Sequence, residues 1–328
     1  MIVFAIVFGE PYVDAFFETA LPSLLTPGNV PALTARDVEV SLVFFTTESS
    51  VPIIAERAKH PVSGMEHFSS IDVSFLQDKD PAHYADRGQW QNDTMRDLMM
   101  KAVAYCVEAD RPFIFANADV LYSNGIVENC YRLHRATSKV AAAFNGRVDP
   151  GADLEAFHAL RRSGDDGYKK AFLKYRSALW RSWTVSSSED FPDANFGHVV
   201  LEDGDFVHVF CANPNPFLGK FTTEDLVFFT DSDRYVDWDS RWRIHLANRN
   251  RLVVLTNLDA GMSMEIDPPD TDAKMANHTR VLGQRSQRRE ETLRLLGEWN
   301  MDTEAFRAEQ RRSHYDTDFN MFCFTTRR

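Results

Sequence analysis

Residues 96–136 read RDLMMKAVAYCVEADRPFIFANADVLYSNGIVENCYRLHRA. The first part has helical spacing, with Met95, Leu98, Met99, Ala102 and Cys106 on one stripe. Next comes the short apolar run PFIFA (112–116), which has the length and composition of a buried strand. It stops at Asn117-Ala118-Asp119, and the chain then runs into the turn-forming Ser123-Asn124-Gly125 and more helical spacing. The order is therefore helix, strand, polar strand end, turn, helix.

The same grammar extends outward on both sides. Apolar, β-branched or aromatic runs occur at 2–8 (IVFAIVF), 38–45 (VEVSLVFF), 71–76 (IDVSFL) and 139–144 (KVAAAF). Between the first two, Val13, Phe16, Phe17, Ala20, Leu21 and Leu24 form a helical stripe. Strands alternating with helices imply βαβ units and a mostly parallel, Rossmann-type α/β sheet flanked by helices. The second half has looser connections. Residues 151–183 carry a basic-aromatic helical pattern, and DFVHVF (205–210), DLVFF (225–229) and RLVVLT (251–256) read as further strands, giving the sheet antiparallel additions. From 272 the chain is polar with helical spacing. The expected organisation is 1–150 as a first α/β half, 151–271 completing the same domain, and 272–328 as a helical C-terminal arm.

Composition narrows the function. With 328 residues, 44% hydrophobic and 26% charged, the chain fits a globular protein with a sizeable core. A net charge of −12 argues against a phosphate-backbone binder, which needs clustered Lys and Arg, so nucleic acid is not an expected partner. Cys106, Cys130, Cys211 and Cys323 form no C-x-x-C pair, which signals neither a zinc site nor a disulfide framework and suits a reducing cytoplasm. MIVFAIVFGE lacks a basic n-region and reads as a first strand. No stretch approaches the roughly 18 uninterrupted apolar residues of a membrane span. Membrane contact is thus expected to be peripheral at most, at the inner surface.

Neither G-x-G-x-x-G after the first strand nor G-x-x-x-x-G-K-[ST] occurs. A bound diphosphate would then need a carboxylate-held divalent cation to offset its charge. Asn117 and Asp119 stand at the carboxyl end of a strand, where parallel sheets bind ligands, and alternation turns both to one side of the chain. Two oxygen ligands so placed suit Mg²⁺ or Mn²⁺. The same two residues also suit a plain turn after a strand, and spacing alone leaves both readings open.

The stretch 96–136 resembles the GT-A family of nucleotide-sugar glycosyltransferases, whose D-x-D element follows about a hundred residues of βαβαβ. Asn117-Ala118-Asp119 matches that location, with Asn in place of the first Asp. The resemblance implies Asp119 as the main ligand of Mn²⁺ or Mg²⁺, and Asn117 acting through water or ribose. It also implies that Gly9 and Glu10, together with Thr46, Thr47 and Glu48, cup the nucleoside, with Asn92 and Arg96 entering from the following helix. Glu224 and Asp225 are similar to the acidic pair that supplies a catalytic base in inverting members, and Asp231/Asp233 is a rival D-x-D. His208 is a further candidate for metal or diphosphate, as is His245, and Arg147 for sugar or phosphate. Each has an ordinary alternative: loop polar groups, exposed helical arginine, solvated acidic loop, core histidine. The basic-aromatic segment GYKKAFLKYRSALWRSW (167–183) would grip an anionic acceptor or a membrane surface, or be an amphipathic helix with a solvated face.

The implied function is a metal-dependent glycosyltransferase moving sugar from a nucleotide-diphosphate donor to a glycan, lipid-linked or small-molecule acceptor. One alternative is a non-catalytic sugar-nucleotide binder of the same fold, suggested by Asn117. Another is a nucleotidyltransferase, although VFGEPYVDAFF lacks the glycine-rich basic loop such enzymes carry after the first strand.

Overall fold

The computed structural model describes residues 1–60, 62–85, 87–164, 166–175, 198–203, 206–211, 215–231, 242–266 and 322–327. The chain forms two compact units. The first comprises Met1–Ala142, Pro216–Trp238 and Arg249–Val253, and the second Ala143–Asn215, Asp239–Asn248 and Val254–Arg328.

The strands of the first half are β1 (Ile2–Ile6), β2 (Ser41–Thr47), β3 (Ser70–Leu76), β4 (Phe113–Ala116), β5 (Val120–Tyr122), β6 (Val140–Ala143) and β7 (Asn145–Val148). Then follow β8 (His198–Asp203), β9 (Phe206–Cys211), β10 (Asn215–Gly219), β11 (Leu252–Leu255), β12 (Ser263–Ile266) and β13 (Phe322–Arg327). The helices are α1 (Glu10–Ala15), α2 (Leu21–Leu24), α3 (Val30–Thr34), α4 (Val51–Ala58), α5 (Arg87–Ala109) and α6 (Ile126–Thr137), then α7 (Leu154–Arg161), α8 (Gly167–Tyr175), α9 (Thr223–Thr230) and α10 (Arg243–Asn248).

The main sheet has seven strands in the order β11-β6-β10-β4-β1-β2-β3. Strand β1 runs parallel to both β2 and β4, and β2 runs parallel to β3. Strand β10 runs antiparallel to β4, with Leu218 opposite Ile114 and Gly219 opposite Phe113. All residues of β1, β2 and β4 are buried, which is why their sequences are continuous apolar runs rather than alternations. On one face Phe4 stacks on Phe115 at 5.1 Å and meets Phe45 edge-on at 6.1 Å. On the other, Phe44 meets Phe16 at 5.2 Å and Phe17 at 5.7 Å. Such ring pairs add about 0.5–1.5 kcal/mol each beyond area burial.

The helical stripe after β1 is buried at all six expected positions. Its helix is interrupted by a π-helical turn at Phe16–Ala20. The cause is Pro22, which offers no N–H to the carbonyl of Glu18 and crowds it with its ring, so the turn widens ahead of it. Helix α5 covers the Phe4 face and buries Leu98, Met99, Ala102 and Cys106, with Met95 half-buried. The thiols of Cys106 and Cys130 are free and buried, and burial pushes Cys130 up to about 12 and Cys106 above the ordinary range.

One expected strand is a helix: DLVFF lies in α9. Thr222 and Asp225 form a reciprocal capping box, which nucleates a helical turn, and Asp225 and Phe229, four apart, are its buried positions. Strand β10 (NPFLG), which the short apolar runs of the sequence do not announce, inserts beside β4.

In the second unit β12 pairs parallel with β7, while β9 pairs antiparallel with both β8 and β13. Phe144 packs against Phe172 and Phe324, and a Cβ on Gly146 would come within 2.6 Å of the Phe172 ring. Most of the segment read as a C-terminal arm lies outside the described residues, and its last part, Phe322–Arg327, is strand β13. Among the described residues no helix is long and apolar enough to cross a membrane.

Candidate functional site

In the strand order β3-β2-β1-β4 the chain builds outward from β1 in one direction and then returns to its other side with β4. The carboxyl ends of β1 and β4 therefore flank a topological switch point, where open α/β sheets bind ligands. Gly9 and Glu10 emerge there from β1, and Asn117-Ala118-Asp119 from β4.

At the end of β1, Gly9 has φ 77°, in the region that side chains disfavour. A Cβ there would touch none of the described residues within 4 Å, so backbone conformation rather than space calls for glycine. The Gly9 N–H donates to Ser50 Oγ at 2.9 Å, tying β1's end to β2's. Glu10 is exposed at the start of α1. Beyond it, Tyr12 is 47% exposed although its ring lies 6.4 Å from Phe8, which also meets Trp90 edge-on at 5.9 Å.

At the end of β2, Thr46 is wholly buried and its Oγ1 has no hydrogen-bond partner among the described residues. Thr47 Oγ1 lies 3.1 Å from Ser50 Oγ and 3.3 Å from Ser49 Oγ. The Ser49 N–H and hydroxyl donate to the two oxygens of Asp78 at 2.8 and 2.7 Å. A polar chain thus runs from Gly9 through Ser50, Thr47 and Ser49 to Asp78, while Glu48 faces solvent.

Helix α5 contributes near its start. The Trp90 indole N–H donates to the Lys79 carbonyl at 3.0 Å, and Lys79 pairs with Asp97 at 2.7 Å. Arg96 lies 3.1 Å from Asp97 and 3.7 Å from Asp93, which offset its charge. Asn92 is exposed.

After β4 the turn is held from beneath. The Asn117 N–H donates to Tyr122 Oη at 2.9 Å, and Tyr122 is fully buried, stacked on Phe217 at 5.1 Å. Ala118 is buried, while Asn117 and Asp119 are half-buried. The following turn is clamped by Asn29, which is 0% exposed. The two hydrogens of its Nδ2 are shared among the carbonyls of Ser23 and Ser123 and the Thr26 hydroxyl, at 2.9, 3.0 and 3.0 Å. Its Oδ1 accepts the N–H groups of Gly125 and Val127, both at 3.1 Å, and so caps α6 from a distant part of the sequence.

Among the described residues no three His, Cys, Asp or Glu side chains gather as a metal site. Asp119 with Asn117 offers one carboxylate and one carboxamide. That donor set fits a hard divalent cation completed by diphosphate and water, which is how Mg²⁺ is usually held, and does not fit an all-protein cage.

The acidic pair expected as a base is not brought to this edge. Strand β10 ends opposite the first residue of β4, and Lys220 pairs with Asp110 at 2.7 Å, so Thr222–Asp225 sits at the amino end of the parallel strands. Asp225 is fully buried; it accepts the Thr222 N–H and hydroxyl at 2.8 and 2.9 Å and the Arg251 guanidinium at 2.8 Å. Glu224 is exposed and lies 3.5 Å from Arg249. Asp225→Ala is expected to lower the stability of the first unit by about 2–3 kcal/mol through the lost cap and the uncompensated arginine. Urea unfolding measures the loss, and nucleotide affinity should not change.

Of the remaining candidates, Arg147 lies in β7 of the second unit and pairs with Glu265 of β12 at 2.6 Å. His208 lies in β9 between Leu201 and Thr325 in register, with its side chain outside the described residues. His245 is buried on α10, Asp231 is exposed after α9, and Asp233 lies outside the described residues. In the basic-aromatic segment, Lys169 is buried against Asp259 at 2.9 Å, and residues 176–183 lie outside the described residues. Burial lowers the Lys169 pKa, but hydrogen bonds and charge from Asp259 and Asp166 outweigh it and hold the amine above its ordinary value.

Sequence reasoning missed Tyr12, Ser49, Ser50, Asp78, Trp90, Tyr122 and Asn29. Tyr12, an aromatic residue three positions past Gly9 and off the buried stripe of Val13, Phe16 and Phe17, carried a local signal. The partners of the others are set by the tertiary fold.

No protein-family model and no curated protein matches the sequence. Among solved structures the chain is similar to mouse xyloside xylosyltransferase 1 in its apo form, at 13% identity and a TM-score of 0.28. That match covers 49% of this chain and 58% of the xylosyltransferase chain. It is also similar to the galactosyltransferase LgtC in complex with donor and acceptor sugar analogues, at 12% identity and a TM-score of 0.36, over 87% of this chain and 96% of that one.

Proposed function

We propose that the edge formed by β1, β2 and β4 binds a nucleotide-sugar, and that the protein is a metal-dependent glycosyltransferase of GT-A type. The observation that carries this reading is the Asn117-Ala118-Asp119 turn at the switch point beside Gly9, on a sheet of order β3-β2-β1-β4-β10. Asp119 is assigned as principal ligand of Mn²⁺ or Mg²⁺, with Asn117 beside it. The cation, when bound, offsets the negative charge that builds on the departing diphosphate. Gly9, Glu10 and Thr46–Glu48 line the nucleoside side, and Asn92 and Arg96 border it. The exposed ring of Tyr12, backed by Phe8 and Trp90, is assigned as the face on which the base stacks. The acceptor is a glycan, a lipid-linked sugar or a small molecule.

Glu224 and Asp225, at the opposite edge, are assigned no proton-transfer role. Tyr12→Ala is expected to weaken nucleotide binding by about 5- to 150-fold, the loss of one base–aromatic stack worth about 1–3 kcal/mol. Equilibrium titration with a fluorescent nucleotide measures it.

The reading as a whole is tested by thermal melting against UDP-, GDP-, CMP- and TDP-sugars with and without Mn²⁺. A ligand at a hundred times its Kd stabilises by about 2.7 kcal/mol, so the matching donor should raise Tm in the presence of metal. Release of free sugar from that donor separates an enzyme from a non-catalytic binder. Absence of a shift with every nucleotide would sink the proposal.

A further inference from the structure

Strand β3 is an end strand of the seven-stranded sheet. Its sequence, SIDVSFL, contains neither Lys nor Pro, which ordinarily blunt such an edge, and carries a single charge, Asp72. Ile71, Val73 and Phe75 are 40%, 39% and 46% exposed. They share the face of Leu42, Phe44 and Thr46, their partners in register on β2.

The direction of the backbone groups follows from the ladder. The Ser41 N–H bonds to the Met1 carbonyl, so odd residues of β2 bond to β1 and even residues to β3. With Leu42 opposite Ile71, the residues of β3 that bond back to β2 are Ser70, Asp72, Ser74 and Leu76. The N–H and C=O groups of Ile71, Val73 and Phe75 point away from the sheet. Consistent with this, the Phe75 carbonyl accepts the Lys101 ammonium at 2.6 Å and keeps a second lone pair.

We propose that β3 pairs antiparallel with β3 of a second copy of this chain, about a two-fold axis through Val73, to form a continuous sheet across a homodimer. This is the register that pairs all seven residues. It sets Val73 against its own copy and Ile71 against Phe75, using every outward N–H and C=O. Asp72 then faces Ser74 of the second copy rather than another carboxylate, so the register opposes no like charges while the outward backbone groups complement their own copy. Centring the axis on Asp72 would instead oppose two carboxylates and leave Leu76 and Phe75 unpaired. In the Val73 register the apolar side chains of both strands lie on one face and cover one another across the axis. The inference is independent of the nucleotide reading.

Sedimentation velocity of the full chain over a concentration series tests it, with hydrogen exchange of the β3 amides as a local readout. The wild type is expected to approach twice the chain mass as concentration rises, with slowing exchange at Ile71, Val73 and Phe75. Val73→Pro removes the outward N–H on the axis and spares the ladder to β2, so it should give a monomer. Ser74→Asp opposes two pairs of like charges per dimer and should weaken it by about 2- to 30-fold, whereas Ser74→Lys should tighten it. Far-UV circular dichroism and melting confirm that each variant is folded, and if Val73→Pro does not fold the two Ser74 variants carry the test. A wild type at chain mass throughout, or Ser74→Asp and Ser74→Lys moving the equilibrium alike, overturns the proposal.

Discussion

Asp119→Ala is expected to lower sugar release or transfer from the matching donor by about 10²- to 10³-fold, with the protein still folded by circular dichroism. The magnitude is that of removing one preorganised group from the charge that develops on a leaving group. The loss should be large because Asp119 is the one carboxylate of the Asn117-Ala118-Asp119 turn, and the carboxamide beside it carries no charge to take over. Asn117→Asp gives the complementary result: a second carboxylate on the same side of the chain should raise the apparent Mn²⁺ affinity of the nucleotide complex. Steady-state donor hydrolysis against Mn²⁺ concentration reads both. Equal activity in wild type and Asp119→Ala would remove Asp119 from the site.

Asn29→Ala has the largest expected effect on stability. Asn29 is fully buried and its side chain has five hydrogen-bond partners between 2.9 and 3.1 Å, three acceptors that share the two Nδ2 hydrogens and two N–H groups that donate to Oδ1. Alanine would strand the N–H groups of Gly125 and Val127, whereas the carbonyls of Ser23 and Ser123 keep donors from Thr26 and Ile126. Each buried unsatisfied group costs about 1–3 kcal/mol, and with partial relaxation the sum should be about 3–5 kcal/mol. At about 2–4 °C per kcal/mol that is a fall in Tm of roughly 6–20 °C. The clamp bridges the turn after α2 and the segment after β4, so the same variant should also weaken nucleotide binding while Asn117 and Asp119 are intact. Differential scanning calorimetry measures the first effect. A fall of under 1 kcal/mol, the scale of an ordinary surface substitution, would mean the clamp is not formed in solution.

Strands β1, β2 and β4 were legible because both faces are covered, which makes Ile2–Ile6, Phe113–Ala116 and most of Ser41–Thr47 apolar runs. The stripe from Val13 to Leu24 was legible for the complementary reason, since one helical face is buried at every expected position. DLVFF misled because its composition is that of a strand. The deciding signal was the preceding Thr222 with Asp225 three residues on, a helix start that overrides a short apolar run.

The edge of the sheet was legible in part. Gly9, Thr47 and Asn117 stand at strand ends that local pattern can find, but their partners Ser50, Asp78 and Tyr122 are set by chain crossings that leave no local trace. The position of Glu224 and Asp225 was not legible for the same reason. It depends on β10 running antiparallel to β4, a pairing of residues about a hundred positions apart.

The central claim is that the carboxyl ends of β1 and β4 hold a nucleotide diphosphate through a cation on Asp119. Isothermal titration calorimetry of nucleoside diphosphates into wild type and Asp119→Ala, each with and without Mn²⁺, tests it most directly. The wild type is expected to bind one nucleoside diphosphate more tightly with Mn²⁺, and the variant to lose that metal dependence. Metal-independent binding of equal affinity in both proteins, or no heat with any nucleotide, would contradict it.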